Sequence, residues 1–212
     1  MVAISVHLDD AVFSVGAALA RAARRGANVT VLTVLANDAD AGGPAGEWDT
    51  RAGFANAREA ARARRAEDRR ACELLGARPV WLPFGDKTYG RGVDDGEIAA
   101  AVTTHLVDAE VVLVPGFPLM HEDHRWLSRL AEETIGAPRV GHYVEQPYAA
   151  LWTPGPPASE QWRPLAAAAR DRVAKLRAFR AYRSQLPLLA PRVTYRTTRY
   201  ELLRGGEAVL WN

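Results

Sequence analysis

Short runs of β-branched and aliphatic residues alternate with longer segments of helical periodicity up to residue 144, and this alternation limits the possible folds most. It begins with a buried strand over residues 2–7 and a helix over residues 12–25, which Gly26 ends. Repeated strand–helix units are typical of βαβ folds, in which a parallel sheet is covered by helices. The sequence therefore predicts an α/β, Rossmann-like fold with a mostly parallel sheet flanked by helices.

Four more strands and three more helices complete this pattern. The predicted strands cover residues 29–35, 79–83, 110–114 and 139–144, and the predicted helices cover residues 54–75, 97–107 and 123–135. Two polar loops, over residues 36–53 and 85–96, are long for such units, and long loops are usually functional or mobile.

After residue 144 the alternation stops. The sequence predicts a proline-rich loop over residues 152–157 and a last helix over residues 160–185. Strands over residues 193–203 and 208–211, joined by Gly205-Gly206, are expected to form a terminal hairpin. Since there is no internal repeat or domain boundary, we expect one domain over residues 1–212 with a C-terminal helix and β-hairpin appendage.

Composition excludes several classes of protein. The chain has 212 residues, of which 48% are hydrophobic and 25% charged, as in globular proteins. No apolar run reaches the roughly 20 residues that a membrane span needs, so no membrane partner is expected. The net charge is +2 with scattered basic residues, which argues against nucleic-acid binding. The Arg-rich stretch 58–70 is expected to be a solvated helix face, and a homo-oligomer contact there is left open.

The start of the chain and its cysteine content bear on localisation. No basic residue precedes His7, so we expect no signal peptide. A single cysteine, Cys72, excludes an internal disulfide and suits a reducing compartment. These observations predict a cytoplasmic protein with a buried, unreactive Cys72.

The first turn of the predicted sheet is acidic. In an open parallel sheet, ligands bind beyond the carboxyl ends of the strands where the strand order reverses, usually between the first and fourth strands. The first strand leads into His7-Leu8-Asp9-Asp10. A dinucleotide site would need G-x-G-x-x-G here, but only Gly16 is present and two carboxylates would repel phosphate. This excludes a dinucleotide site.

A second cluster follows the fourth strand, as His121-Glu122-Asp123-His124. Two clusters of histidine and carboxylate at neighbouring strand ends can supply three ligands with an open position, the pattern of catalytic zinc. Each cluster alone has a structural alternative. Asp9, Asp10 or Asp123 could cap the following helix, and His7 alone could be a core histidine. The two clusters together favour the metal site.

These residues resemble the motifs of the PIG-L/LmbE-like family of zinc-dependent N-acetylglucosaminyl deacetylases. The family has H-P-D-D-E after the first strand and H-x-D-H after the fourth. Further similarity covers most of the chain. The matching residues are Arg64 and Glu67 on the long helix, Asp86 after the third strand, and Tyr182, Ser184 and Gln185 at the end of the last helix.

The resemblance implies a role for each matching residue. It implies a Zn²⁺ site of His7, Asp10 and His124. Asp9 would then be the general base, and His121 would stabilise the oxyanion or act as an electrostatic partner. Arg64 and Asp86 would contact sugar hydroxyls, and we place Asp123 among the residues that surround the ligands. Leu8 and Ala11 depart from the family's Pro and Glu, and neither is a ligand.

The predicted function is a zinc-dependent hydrolase that removes an acetyl or related acyl group from an amino sugar. Amide hydrolysis needs an activated water, a base and stabilisation of a developing oxyanion, and these residue types can supply all three. Two alternatives are an amidase for a larger acyl or thiol conjugate of a glucosaminyl compound, and a non-catalytic metal- or carbohydrate-binding relative. A neutral or cationic sugar is expected, because the loops are rich in hydroxyl-binding groups. The loops supply Asp38, Asp40, Asp49, Asp86, Glu145 and Trp48, and the long helix adds Arg64.

Overall fold

The computed structural model describes residues 1–40, 42–151, 160–189, 191–203 and 206–212. Seven strands form one sheet. They are β1 (Val2–Ser5), β2 (Thr30–Thr33), β3 (Arg78–Trp81), β4 (Val112–Phe117), β5 (Val140–Val144), β6 (Arg163–Pro164) and β7 (Ala208–Trp211). The strand order is β3-β2-β1-β4-β5-β7-β6. Strands β1 to β5 are parallel, and β7 runs antiparallel to β5 and β6. The predicted mostly parallel sheet is confirmed, and β1 lies beside β4.

Helices cover both faces of the sheet. They are α1 (Asp10–Arg24), α2 (Glu47–Arg51), α3 (Ala57–Leu75), α4 (Asp95–Thr104), α5 (Glu122–Thr134), α6 (Tyr148–Leu151), α7 (Ala169–Phe179) and α8 (Pro191–Leu203). One core lies under α1, α3 and α7 and includes Phe13, Leu19 and the buried Cys72. The other lies under α4 and α5 and includes Ile98 and Leu127. No helix in the described ranges is long and apolar enough to cross a membrane.

The predicted terminal hairpin is wrong. Residues 193–203 belong to α8, and β7 instead pairs with β5 and β6. Val193, Thr197 and Glu201 are buried at four-residue spacing, so tertiary packing favours a helix over the strand that the β-branched residues suggest. The last predicted helix is also shorter, because only Ala169–Phe179 is helical. The predicted loop 152–157 lies outside the described residues.

Helix α1 is kinked at Val15, where φ is −127°. Beyond the kink, the backbone N–H groups of Ala17 and Ala18 both donate to the Glu207 carboxylate at 2.7 Å. Lys175 pairs with this carboxylate at 2.8 Å and with Glu201 at 2.6 Å. A buried charge cluster therefore ties α7, α8 and the segment before β7 to the helix that begins at Asp10.

Candidate metal centre and active site

The two predicted clusters meet at one edge of the sheet because β1 and β4 are neighbours. His7 lies in the turn after β1, and Asp10 is the first residue of α1. His121 is the N-cap of α5, and His124 lies in the first turn of that helix. The topology thus brings together residues more than a hundred positions apart in sequence.

Three donor atoms form a nearly equilateral triangle. His7 Nδ1 lies 3.3 Å from Asp10 Oδ2, His124 Nε2 lies 3.4 Å from the same oxygen, and the two nitrogens are 3.3 Å apart. Tetrahedral zinc with bonds of about 2.0–2.1 Å places its ligand atoms about 3.3–3.4 Å from one another. The residues present therefore fit zinc, with coordination left for water or substrate.

Each histidine of the triangle contacts a buried carboxylate through its other ring nitrogen. His7 Nε2 lies 3.3 Å from Asp123 Oδ2, and His124 Nδ1 forms a short contact with Glu145 Oε1. Asp123 and Glu145 are 0% and 1% exposed. A carboxylate at this position fixes the orientation of a metal-binding imidazole. Glu145, expected at the substrate, instead supports His124 from within the protein.

Charge at the triangle favours a bound cation. Burial alone would lower the pKa of His7, but its contacts with Asp10 and Asp123 raise it to about 10. Burial likewise opposes ionisation of Asp10, yet His124 and His7 lower the pKa of its carboxyl to about 2. A metal ion at these atoms would take the place of the protons that the metal-free cluster holds.

Asp9 adopts a strained backbone conformation, with φ at 117°, beside the triangle. It occupies the N-cap position of α1, but its side chain makes no capping hydrogen bond, so helix capping does not explain it. Burial and the neighbouring Asp10 charge raise the pKa of the Asp9 carboxyl well above its usual range. A carboxyl with a raised pKa is suited to accept and return a proton near neutral pH.

His121 is exposed and lies at the side of the triangle. Its ring meets that of His7 edge-on with centroids 5.4 Å apart, and its Nδ1 accepts from the Asp123 N–H at 3.3 Å. Burial and the nearby His7 charge lower the pKa of His121. Since His121 is the N-cap of α5, Asp123 is not the cap and is free to contact His7.

A cavity of about 480 Å³ opens above the triangle. Besides His7, Asp9, Asp10, His121 and Asp123, its wall includes Phe13, Gly46, Trp48, Asp49, Arg64, Asp86, Lys87, Thr88, Tyr89, Pro147, Tyr148, Gln185 and Leu189. Arg64 and Asp86 therefore both face the cavity. His124 is fully buried and is not part of the wall. Asp38 and Asp40 do not line the cavity, because they lie in an exposed loop where Asp40 pairs with Arg62 at 2.6 Å.

Buried polar contacts hold the two loops of the wall together. Tyr89 donates its hydroxyl to Asp49 at 2.7 Å, and Arg64 Nη1 lies 3.4 Å from the other oxygen of that carboxylate. The side chain of Asp86 accepts from the Thr88 N–H at 2.8 Å and so shapes the second loop.

The remaining family-like residues are structural supports. Ser184 donates to Glu67 from both its hydroxyl and its N–H, at 2.7 and 2.8 Å. Tyr182 donates its hydroxyl to the buried Asp68 at 2.6 Å. Gln185 accepts from the indole N–H of Trp48 at 2.7 Å, which fixes Trp48 on the cavity wall.

The fold and this site define an α/β protein of Rossmann-like topology with a candidate metal centre at a sheet edge. The model of the PIG-L family, described as GlcNAc-PI de-N-acetylase, matches residues 2–135, which is more than half of the chain. The chain belongs to the PIG-L family and is an N-deacetylase. The resemblance predicted from the sequence is thus confirmed.

Solved structures of deacetylases are similar over the whole chain. The A40926 pseudoaglycone deacetylase has a TM-score of 0.79 at 28% identity and is covered to 96%, with 100% of this chain aligned. The zinc-inhibited form of teicoplanin deacetylase has a TM-score of 0.79 at 27% identity, and the alignment covers 100% of this chain and 97% of that one. N,N'-diacetylchitobiose deacetylase from Pyrococcus horikoshii shares the fold, with a TM-score of 0.66 at 16% identity and 100% and 82% covered. A search of curated proteins gave no significant match.

Proposed function

We propose that the protein is a zinc-dependent hydrolase that removes an acetyl or related acyl group from the amine of an amino sugar. The observation that carries this proposal is the triangle of His7, Asp10 and His124, of which His7 and Asp10 line one cavity together with Asp9. The family description names N-acetylglucosamine, and the two more similar solved structures are deacetylases, which supports an N-acetylated amino sugar.

Each residue of the site would have a separate role in the hydrolysis. Zinc, when held by the triangle, polarises an amide carbonyl and lowers the pKa of water to about 7. Asp9 takes a proton from the attacking water and returns it to the leaving amine. His121 stabilises the negative charge that develops on the carbonyl oxygen. Arg64 and Asp86 orient the sugar through its hydroxyls.

We further propose a neutral or cationic substrate. Apart from Asp10 and Asp123 at the candidate metal site, the cavity contains the carboxylates of Asp9, Asp49 and Asp86, and two cations, Arg64 and Lys87. Both cations have carboxylate partners, since Arg64 contacts Asp49 and Lys87 binds Glu122 at 2.7 Å. A site for phosphorylated sugars would instead carry net positive charge. A cytoplasmic location and a homo-oligomer contact stay predictions.

The cavity also favours a second candidate within the same chemistry. A volume of about 480 Å³ exceeds that of an acetyl-sugar ring, and Tyr148, Pro147 and Leu189 make one wall largely apolar. An amidase for a larger acyl chain or conjugate of a glucosaminyl compound would use this wall. A non-catalytic binder is disfavoured, because it would have no need of a strained carboxylate beside the metal ligands.

Metal analysis combined with a substrate panel tests the proposal. Purified protein should hold about one zinc per chain, and His124→Ala should lose most of it. The panel contains N-acetylglucosamine, an N-acetylglucosaminide, N-acetylglucosamine 6-phosphate and an N-octanoyl glucosaminide, with the freed amine measured. Release from the neutral acetyl sugars supports the proposal, and release from the octanoyl compound alone supports the second candidate. Full zinc content in His124→Ala would contradict the proposed metal site. Preference for N-acetylglucosamine 6-phosphate would contradict the proposed neutral or cationic substrate.

A further inference from the structure

Arg91 contacts the carboxylate that braces His7. It lies in the loop between β3 and α4, and its Nη2 donates to Asp123 Oδ1 at 2.9 Å. The other oxygen, Asp123 Oδ2, lies 3.3 Å from His7 Nε2. Asp123 is completely buried, so one carboxylate stands between a guanidinium on one side and a candidate metal ligand on the other.

The guanidinium of Arg91 is itself held in place. Its Cζ atom lies 4.0 Å from the centre of the Trp126 ring, within the range of a cation–π contact. Trp126 belongs to α5, the helix that also carries Asp123 and His124. Arg91 does not line the cavity, whereas Asp123 does. Arg91 therefore lies behind Asp123 and is placed to act through it.

We propose that Arg91 is a positioning residue, which fixes the Asp123 carboxylate and through it the imidazole of His7. This inference rests on the proposed metal site. A charge-assisted hydrogen bond to Oδ1 restrains rotation of the carboxylate, which keeps Oδ2 directed at His7 Nε2. The restraint keeps His7 Nδ1 in the donor triangle, as outer partners of metal-binding histidines do.

The position of Arg91 also links metal and substrate. The same loop places Asp86 and Tyr89 on the cavity wall, and Tyr89 is anchored on Asp49. This loop therefore forms part of the cavity wall and also contacts Asp123. Because Asp123 contacts His7, the position of the His7 imidazole depends on the conformation of the loop.

Zinc affinity and a double-mutant cycle test the proposal. Zinc dissociation constants are measured by competition with a chromogenic chelator for the wild type, Arg91→Ala, Asp123→Asn and the double variant. Arg91→Ala should weaken zinc binding about 10-fold, the lower end of the range for such outer partners. In the Asp123→Asn background it should add nothing, because the carboxylate through which Arg91 acts is gone. Arg91→Lys should retain part of the affinity that Arg91→Ala loses, because lysine keeps the positive charge. The recovery should be incomplete, because lysine lacks the flat guanidinium.

Two readouts separate positioning from structural support or substrate contact. The visible spectrum of the Co²⁺-loaded protein should change in Arg91→Ala and stay unchanged in Arg62→Ala, which breaks an exposed ion pair with Asp40. With N-acetylglucosamine, kcat should fall about 10-fold while KM stays within about 2-fold. If Arg91→Ala does not fold, Arg91→Gln and Arg91→Lys take its place.

Each contrary outcome has a distinct meaning. Unchanged zinc affinity and Co²⁺ spectrum in folded Arg91 variants, additive losses in the double variant, or a raised KM with unchanged kcat would overturn the role of Arg91. Failure of the wild type to bind zinc would instead overturn the proposed function on which this inference rests.

Discussion

The carboxylate of Glu145 contacts the imidazole of His124 in the protein interior. Glu145 directly follows β5, and His124 lies in the first turn of α5. His124 is 0% exposed, and Glu145 also accepts the Leu119 N–H at 3.0 Å. This carboxylate therefore connects the loop before α5 with the inner side of the donor triangle. The contact holds the imidazole of His124 from the side opposite the donor triangle.

Glu145→Gln should weaken zinc binding about 10- to 100-fold, the usual cost of altering a partner of a metal-binding histidine. The amide keeps the shape of the side chain but removes the negative charge behind the imidazole. Chelator competition measures the effect, with the exposed Glu110→Gln as the control. Wild-type affinity in a folded Glu145→Gln would show that the carboxylate only fills space.

Asp9→Asn and Asp10→Asn should separate base from ligand. Asp9→Asn should keep its zinc and lose about 10²- to 10⁴-fold in turnover, the usual contribution of a general base. Asp10→Asn should lose zinc, because Asp10 Oδ2 is a corner of the donor triangle. Metal content and amine release are measured on the same samples. The opposite pattern would exchange the two roles.

Arg64→Ala and Asp86→Ala should each lower kcat/KM for an N-acetylglucosaminide about 10- to 100-fold, as expected for lost hydrogen bonds to charged groups. Zinc content should not change, since neither residue belongs to the donor triangle. Arg62→Ala, on the exposed face of the same helix as Arg64, is the control. Wild-type kinetics in both variants would show that Arg64 and Asp86 do not contact the substrate.

The two lysines of the chain offer a matched test of the buried charge cluster. Lys175→Met should lower the free energy of unfolding by about 3–5 kcal/mol, because Glu201 and Glu207 would stay buried without their cation. Lys87→Met breaks only an exposed pair with Glu122 and should cost about 1 kcal/mol or less. Urea denaturation measures both. Similar small losses would mean that α1 does not depend on the cluster.

The sequence predicts that the two clusters meet, because both motifs directly follow strands and the usual strand order places those strands side by side. The choice of His7, Asp10 and His124 as the ligands comes from the family resemblance. His7, Asp10 and His124 need only that adjacency to meet. The residues that support the ligands could not be predicted in this way. Glu145 and Arg91 reach His124 and Asp123 across 21 and 32 residues, through loop conformations that no local pattern specifies.

Helix α8 shows why the C-terminal part was harder to predict. Its β-branched and aromatic residues are typical of a strand, and local propensity alone favours one. In the folded chain, Glu201 binds Lys175 of α7, and the Thr197 hydroxyl donates to the Val193 carbonyl at 2.9 Å. The ion pair of Glu201 depends on a residue 26 positions away in the chain, so packing outweighs propensity.

The cavity wall comes from two different stretches of the chain. Asp9 and the three candidate ligands lie within the family match over residues 2–135, whereas Pro147, Tyr148, Gln185 and Leu189 come after it. Changes in the later stretch can therefore alter the size and polarity of the molecule that is admitted while the hydrolytic groups stay as they are.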